Sequence, residues 1–345
     1  MQYSRLGDTG LIVSRLAFGA MTFGTGKGPF AAVSKVGPEL ADQMIGKALD
    51  AGINFFNTAD GYTGGESEEI LGKALGARRK DVVVSTKVGF RTGEPLLHQG
   101  LSRQHIFASV EGNLKRLGTD YIDVYLVHRV DVNTPVEETA SALEDLVRQG
   151  KVRYVGFSNW PAWMAAKAVG IQKQHGYARF CAAEMYYSLV GRDVEYDVVP
   201  FLEDAGIGMM VWSPLAGGFL TGKYTRENPQ GDGGRLTGFD FLPYDREKGH
   251  VVVDKLREIA KAHNASPAQI ALAWLLRKHG VASILIGANK MAQLEDNLGA
   301  VKVQLAAEQM TQLDELTALG PLYPHWFVAR VQDVPVTEAL KSDKQ

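Results

Sequence analysis

The chain carries a single cysteine, Cys181, among its 345 residues. One thiol excludes an internal disulfide and any metal site built from several cysteines, and it fits a reducing compartment. Blocks of like charge are also missing: 37 Lys and Arg are interspersed with 39 Asp and Glu, for a formal net charge of −2. That leaves no basic stripe for nucleic acid, no patch for an anionic membrane and no charged tail. No apolar stretch approaches the roughly 18 residues of a membrane-spanning helix, and the opening "MQYSRLGDTG" lacks the apolar run of a signal peptide. The eight histidines are scattered, with no His-x-x-His or His-Glu pair at metal spacing, so no metal site is expected. These absences point to a soluble, cytoplasmic protein whose partner is a small neutral or anionic molecule.

What is present is a repeated alternation. Eight short apolar runs of strand type, "RLAFGA", "INFFNT", "VVVST", "IDVYLVH", "RYVGFS", "RFCAAE", "GMMVWS" and "SILIG", are separated by amphipathic stretches that begin near Leu40, Glu66, Arg103, Pro135, Trp160, Val194 and His250, with a further helix from Pro267 and one from Met291. Near-continuous apolar strands belong to a parallel sheet covered on both faces, and eight βα units close a (β/α)8 TIM barrel; the runner-up is an open doubly wound sheet. Length admits two domains, but one barrel domain over 1–345 accounts for every element. Residues 1–15 read as an N-terminal β-hairpin plugging the bottom of the barrel, with "GDTG" at its turn. An extra C-terminal helix near Ala306 to Leu319 leads into a tail, 320–345, whose Tyr323, Trp326 and Phe327 either cover the barrel mouth or fray. The stretch 214–249, rich in Gly, Pro and aromatics, is too long for an ordinary connection and reads as a functional loop.

Two glycine motifs carry little weight. "GGFLTGKY" matches the spacing of a phosphate loop but has Tyr224 where Mg²⁺ would need Ser or Thr. "GTGKG" runs into Pro29 rather than into a helix.

In a barrel, chemistry lies at the C-terminal ends of the strands. Asn57 ends the second run, Lys87 follows the third, His128 ends the fourth, Ser158 and Asn159 the fifth, Glu184 the sixth, and Trp212 and Ser213 the seventh. Taken singly, Tyr62 reads as a loop aromatic and Trp212 as core, His128 equally well as a satisfied core imidazole or a functional one, and Lys87 as a lysine at the lip of an apolar strand whose pKa is easily moved. Together, a phenol, a lysine and a histidine around one mouth make a proton-transfer site.

The segments "GINFFNTADGY", "SEEILGKAL", "VVVSTKVG", "LSRQHIFASVEGNLKRLGTDYIDVYLVHRVD", "TPVEETASALEDLVRQGKVRYVGFSNW", "MYYSLVGRDVE" and "VWSPLAGGFLTGKY" follow one another in an order that resembles the aldo-keto reductase family. The resemblance implies a (β/α)8 barrel that binds NADPH or NADH without a Rossmann domain and reversibly reduces an aldehyde or ketone to the alcohol. It also implies that Tyr62 is the proton donor, with Lys87 lowering its pKa and His128 orienting the carbonyl. Ser158 and Asn159 would hold the nicotinamide carboxamide and Trp212 would stack on the ring. Ser213, Pro214, Leu215 and Gly217 would line the pyrophosphate path, and Gly287, Ala288, Asn289, Gln293 and Asn297 would meet the adenosine end.

Three positions depart from the family pattern. Asn57 stands where an aspartate pairs with the lysine, and the expectation is that it accepts a hydrogen bond from Lys87 but leaves the charge unneutralised. Glu184 stands where a glutamine holds the carboxamide. Asn289 stands where NADP-preferring members carry an arginine, with Lys290 as a substitute, so NADPH is expected with modest preference. The alternative of a different class is a nucleotide-sensing regulatory subunit with the same barrel and little turnover; a third reading, a sugar-phosphate isomerase, requires an anion site and no dinucleotide.

Overall fold

The computed structural model describes residues 1–26, 31–231 and 234–341. Residues 27–28 of the "GTGKG" stretch, 232–233 of the long loop and 342–345 of the tail lie outside the described residues. The chain opens with β1 (Tyr3–Arg5) and β2 (Ile12–Ser14), paired antiparallel with Ser4 opposite Val13. The elements then alternate as β3 (Leu16–Gly19), α1 (Pro38–Asp50), β4 (Phe55–Asn57), α2 (Glu66–Leu75), β5 (Val83–Val88), α3 (Arg103–Leu117), β6 (Ile122–Val127), α4 (Val136–Arg148), β7 (Val152–Ser158), α5 (Ala162–His175), β8 (Phe180–Tyr186), α6 (Val198–Ala205), β9 (Gly208–Trp212), α7 (Arg246–His263), α8 (Pro267–Leu276), β10 (Val281–Ile286) and α9 (Met291–Leu298). After these come α10 (Ala307–Leu316), α11 (His325–Arg330) and α12 (Val334–Lys341). Strands β3 to β10 pair in parallel round a closed circle, β10 meeting both β9 and β3. Closure excludes the open doubly wound sheet.

Each strand is buried on both faces because helices cover the outside and side chains fill the inside. The two-residue period of a strand sorts its side chains. Phe55 and Val83 belong to the interior cluster with Ala17, Val124, Ala182 and Met210, while Phe56, Val84 and Tyr125 pack outward among the helices. Two residues beyond Phe55 comes Asn57, and four beyond Val83 comes Lys87, so both inherit the inward direction.

The hairpin closes the bottom of the barrel. Leu6 and Val13 are fully buried in the interior cluster, and the Asp8 N–H donates to Gly206 O at 2.8 Å, just before β9. Gly7 takes a left-handed φ of 60°, and a Cβ there would lie 2.6 Å from Gly206 O, so only glycine fits. Helix ends carry their own signals: Ser102 and Ser266 accept from the N–H groups of His105 and Gln269, and Gly118 ends α3 in the left-handed region.

The tail docks through His325, whose Nε2 lies 3.0 Å from Tyr196 O, and through the Tyr196 hydroxyl, which donates to Gly320 O at 2.6 Å. Its aromatics stay at the surface, Tyr323 being 70% exposed and Phe327 48%. Among the described residues no helix is long and apolar enough to cross a membrane.

Candidate active site

Lys87 lies at the centre of the mouth and is completely buried. Its ammonium donates to Asn57 Oδ1 and to Thr58 O, both at 2.9 Å, and to the Tyr62 hydroxyl at 3.3 Å. It also forms an ion pair with Glu184 Oε1 at 3.2 Å. The Asn57 amide is used at both ends, since its Nδ2 donates to Glu184 Oε2 at 2.7 Å and to Ser85 Oγ at 2.9 Å. The expectation of an uncompensated lysine is therefore corrected: Asn57 accepts from the ammonium as foreseen, but the counter-charge comes from β8, across the barrel. Glu184 closes the apolar run "RFCAAE", which the sequence shows, although β8 continues to Tyr186; that it faces β5 depends on barrel tilt, which the sequence does not show.

Burial works against the Lys87 ammonium, yet Glu184 and Tyr62 outweigh it and raise the lysine's pKa. Burial also pushes the Glu184 carboxyl upward, with Lys87 opposing. For Tyr62, burial is again the largest influence and holds the phenol above its ordinary value, while Lys87 pulls the other way. The lysine's lowering influence is present but does not prevail, so the phenol keeps its proton at neutral pH. His128 completes the group. Burial, then Lys87 and Arg129, depress its pKa well below the ordinary imidazole value, leaving it neutral. Its ring stands edge-on to Phe90 at 4.4 Å.

Beneath this layer, the fully buried Glu68 accepts from Thr86 Oγ1 at 2.5 Å, Asn113 Nδ2 at 2.6 Å and Arg116 Nε at 2.7 Å. Asp60 is different. Its Oδ1 is buried with no hydrogen-bond partner among the described residues, and burial together with Glu68 pushes its pKa up to about 8.

A second group stands beside the first. Ser158 Oγ donates to Glu184 O at 2.8 Å. Asn159, held at a left-handed φ of 57°, donates from Nδ2 to His128 O at 3.0 Å and accepts the Trp212 indole N–H on Oδ1, also at 3.0 Å. Trp212 lies between Tyr186 and Phe241, the latter nearly parallel to it at 6.1 Å. Ser213 and Ala216 also take positive φ, at 51° and 48°. Non-glycine residues in that region cluster where a backbone is shaped for a ligand.

The third group lies on the loops after β9 and β10. Past Gly287 and Ala288, the Asn289 N–H donates to Gln293 Oε1 at 2.9 Å, and Asn289 Oδ1 is buried without a partner among the described residues. Lys290 is exposed at the start of α9, and Asn297 is buried in that helix. Sequence reasoning missed two members. The Lys223 pKa is lowered by burial and then by Lys290 and Arg235, so three cations crowd together here. Among the described residues none has an acidic partner within 4 Å, and Arg235 Nε is buried with no hydrogen-bond partner, its guanidinium lying 5.1 Å from the centroid of the Phe239 ring. Burial in turn lowers the Arg235 pKa. The available signal was a pair of cations in the long loop after the seventh strand. Such a crowd of cations, with Arg235 half-buried and Lys223 and Lys290 toward solvent, fits an anion with several oxygens, as a dinucleotide's phosphates provide.

Among the described residues no group of His, Cys, Asp and Glu could hold a metal. Residues 15–318 match the model of the aldo/keto reductase family. The chain is 38% identical over 315 residues to a probable voltage-gated potassium channel subunit beta of Oryza sativa subsp. japonica, covering 88% of this chain and 92% of that protein. It is 34% identical over 351 residues to the versiconal hemiacetal acetate reductase of Aspergillus parasiticus, covering 94% and 99%. It is 36% identical over 329 residues to the uncharacterized oxidoreductase YrpG of Bacillus subtilis (strain 168), covering 92% and 96%. With the match to the family model running from the first barrel strand through α10, the chain belongs to the aldo-keto reductase family.

Proposed function

We propose that the protein reduces an aldehyde or ketone to the alcohol with NAD(P)H, Tyr62 giving the proton to the carbonyl oxygen. The observation that carries the reading is the Tyr62 hydroxyl 3.3 Å from a buried, charged Lys87, beside a neutral His128. A phenol kept protonated by burial is suited to act as an acid, and the adjacent ammonium stabilises the phenolate left behind. Neutral His128 can donate one hydrogen bond to the carbonyl oxygen without competing as the acid. The nicotinamide, when bound, supplies the hydride to the carbonyl carbon. Ser158 and Asn159 hold its carboxamide and Trp212 packs on its ring. Ser213, Pro214, Leu215 and Gly217, with Lys223 and Arg235, follow the diphosphate. Gly287, Asn289, Gln293 and Asn297 receive the adenosine, with Lys290 beside a 2′-phosphate. The side-chain fit supports NADPH with modest preference over NADH, because Lys290 offers a point charge rather than the planar fork of arginine.

The test is a panel of aldehydes and ketones with each cofactor, followed by loss of nicotinamide absorbance. Carbonyl-dependent oxidation of the cofactor is the expected result, and none with any member would overturn the reading. A second reading, a nucleotide-sensing subunit with little turnover, draws support from the likeness to the rice protein named as a probable channel subunit. Quenching of tryptophan fluorescence by NADPH without turnover would favour it.

A further inference from the structure

We infer that Glu184 is the positioning carboxylate of the proton-transfer site: it holds the Lys87 ammonium in place from β8, and Asn57 is the amide that clamps the two together. The inference rests on the reductase reading for its catalytic consequence, but its structural half stands alone. In the family pattern that the chain resembles, position 57 is an acid and position 184 an amide. Here each is exchanged for its counterpart, so the site keeps one carboxylate and one amide with their places reversed.

The geometry allows only this assignment. Lys87 Nζ and Asn57 Nδ2 both donate, and Glu184 accepts from both, on Oε1 at 3.2 Å and on Oε2 at 2.7 Å. With Glu184 and Ser85 taking the amide N–H groups, Asn57 Oδ1 is left to face the ammonium, which it does at 2.9 Å. The lysine, asparagine and glutamate thus form a closed triangle in which every polar atom is used. Asp60 does not compete for the role, because its carboxyl is pushed up to about 8 and is largely neutral at pH 7. The two positions are consequently coupled. Glutamine at 184 beside Asn57 leaves a completely buried ammonium with no anion, and aspartate at 57 beside Glu184 sets two carboxylates about 2.7 Å apart around one cation.

The test is a cycle of four proteins: wild type, Glu184→Gln, Asn57→Asp and the double exchange. The charged and titratable groups facing Lys87 and Tyr62 are otherwise the same in all four, namely Asp60, His128 and Arg235. Glu184 raises the pKa of both Lys87 and Tyr62, so its loss lowers both. The alkaline limb of kcat/KM for aldehyde reduction should then move down by about one pH unit or more in Glu184→Gln, with kcat reduced at least about tenfold. In Asn57→Asp the added negative charge moves the limb upward. The double exchange restores the charge count and should return limb and kcat to within about threefold of wild type. Thermal midpoints without substrate give a readout independent of turnover. Each single variant should lose about 5 °C or more, and the double should recover most of it. Superimposable wild-type and Glu184→Gln pH profiles would overturn the assignment. So would a double variant whose midpoint loss is the sum of the two singles. If none of the four proteins turns over while the midpoints show recovery, the reductase reading fails and the carboxylate assignment stands.

Discussion

The rings of Tyr62 and His128 stand nearly perpendicular, 79° apart, with centroids separated by 5.6 Å. The contact depends on ring shape, so it survives loss of the hydroxyl. Tyr62→Phe should keep the packing and the cofactor affinity while kcat falls by roughly 10² to 10⁴, the range of a lost general acid. Single-turnover reduction together with a fluorescence titration separates the two effects, and near-normal turnover would remove Tyr62 from its role.

His128 should stay neutral across the working range. Its depressed pKa follows from burial, Lys87 and Arg129, so the imidazole signal should show no titration near the ordinary value of about 6.5. An unfolded chain takes up that proton below about 6.5 while the native state refuses it, so this residue's contribution is present above that pH and is lost as pH falls. A histidine-edited NMR titration reads it directly, and a midpoint near 6.5 would contradict the neutral assignment.

Asp60 predicts the opposite slope. Its carboxyl is neutral in the fold up to about 8 but ionises in an unfolded chain above about 3.9. The native state therefore holds the extra proton within that window, and stability falls as pH rises through it, by up to about 1.4 kcal/mol per unit. Asp60→Asn removes the dependence. Thermal midpoints of the two proteins should converge at the acid end of the window and separate, the variant higher, toward pH 8. Parallel curves would show that the carboxyl finds a partner.

The cation crowd divides into two roles. Arg235→Met should raise KM for both cofactors by about 10- to 100-fold, as expected when a charge-assisted hydrogen bond to a phosphate is lost. Exposed Lys290 is screened, and Lys290→Met should raise KM for NADPH by only about 2- to 10-fold and leave NADH unchanged. An equal effect on both cofactors would place Lys290 away from any 2′-phosphate.

The barrel was legible because a strand covered on both faces must be apolar throughout. "IDVYLVH" maps onto β6 and "GMMVWS" onto β9 with an end residue to spare. The polar residues that end those runs were legible for the same reason, since one misplaced polar group at the end of an apolar run stands out. What stayed hidden was pairing across the interior. Asn57 is next to Ser85 in register, but Glu184 reaches Lys87 over a distance that only strand tilt and barrel closure determine. The long loop was legible as unusual in length, yet nothing local marked Arg235 as the residue that turns inward. Similarly, the sixth helix was expected near Val194 and begins at Val198, after a short 3₁₀ turn over Asp193–Glu195, a boundary that tertiary contacts decide.

The hydrogen-bonded circle has Lys87 in the half built from β3 to β6 and Glu184 in the half built from β7 to β10. Neither half, folded by itself, contains both members of the Lys87–Glu184 pair; each would display one of these ions unpartnered on what becomes the inner wall. The complete ring is thus the smallest assembly in which these charges can be dry. Cutting the chain between α4 and β7 and mixing the pieces would make regained turnover a direct signal that the two halves have met.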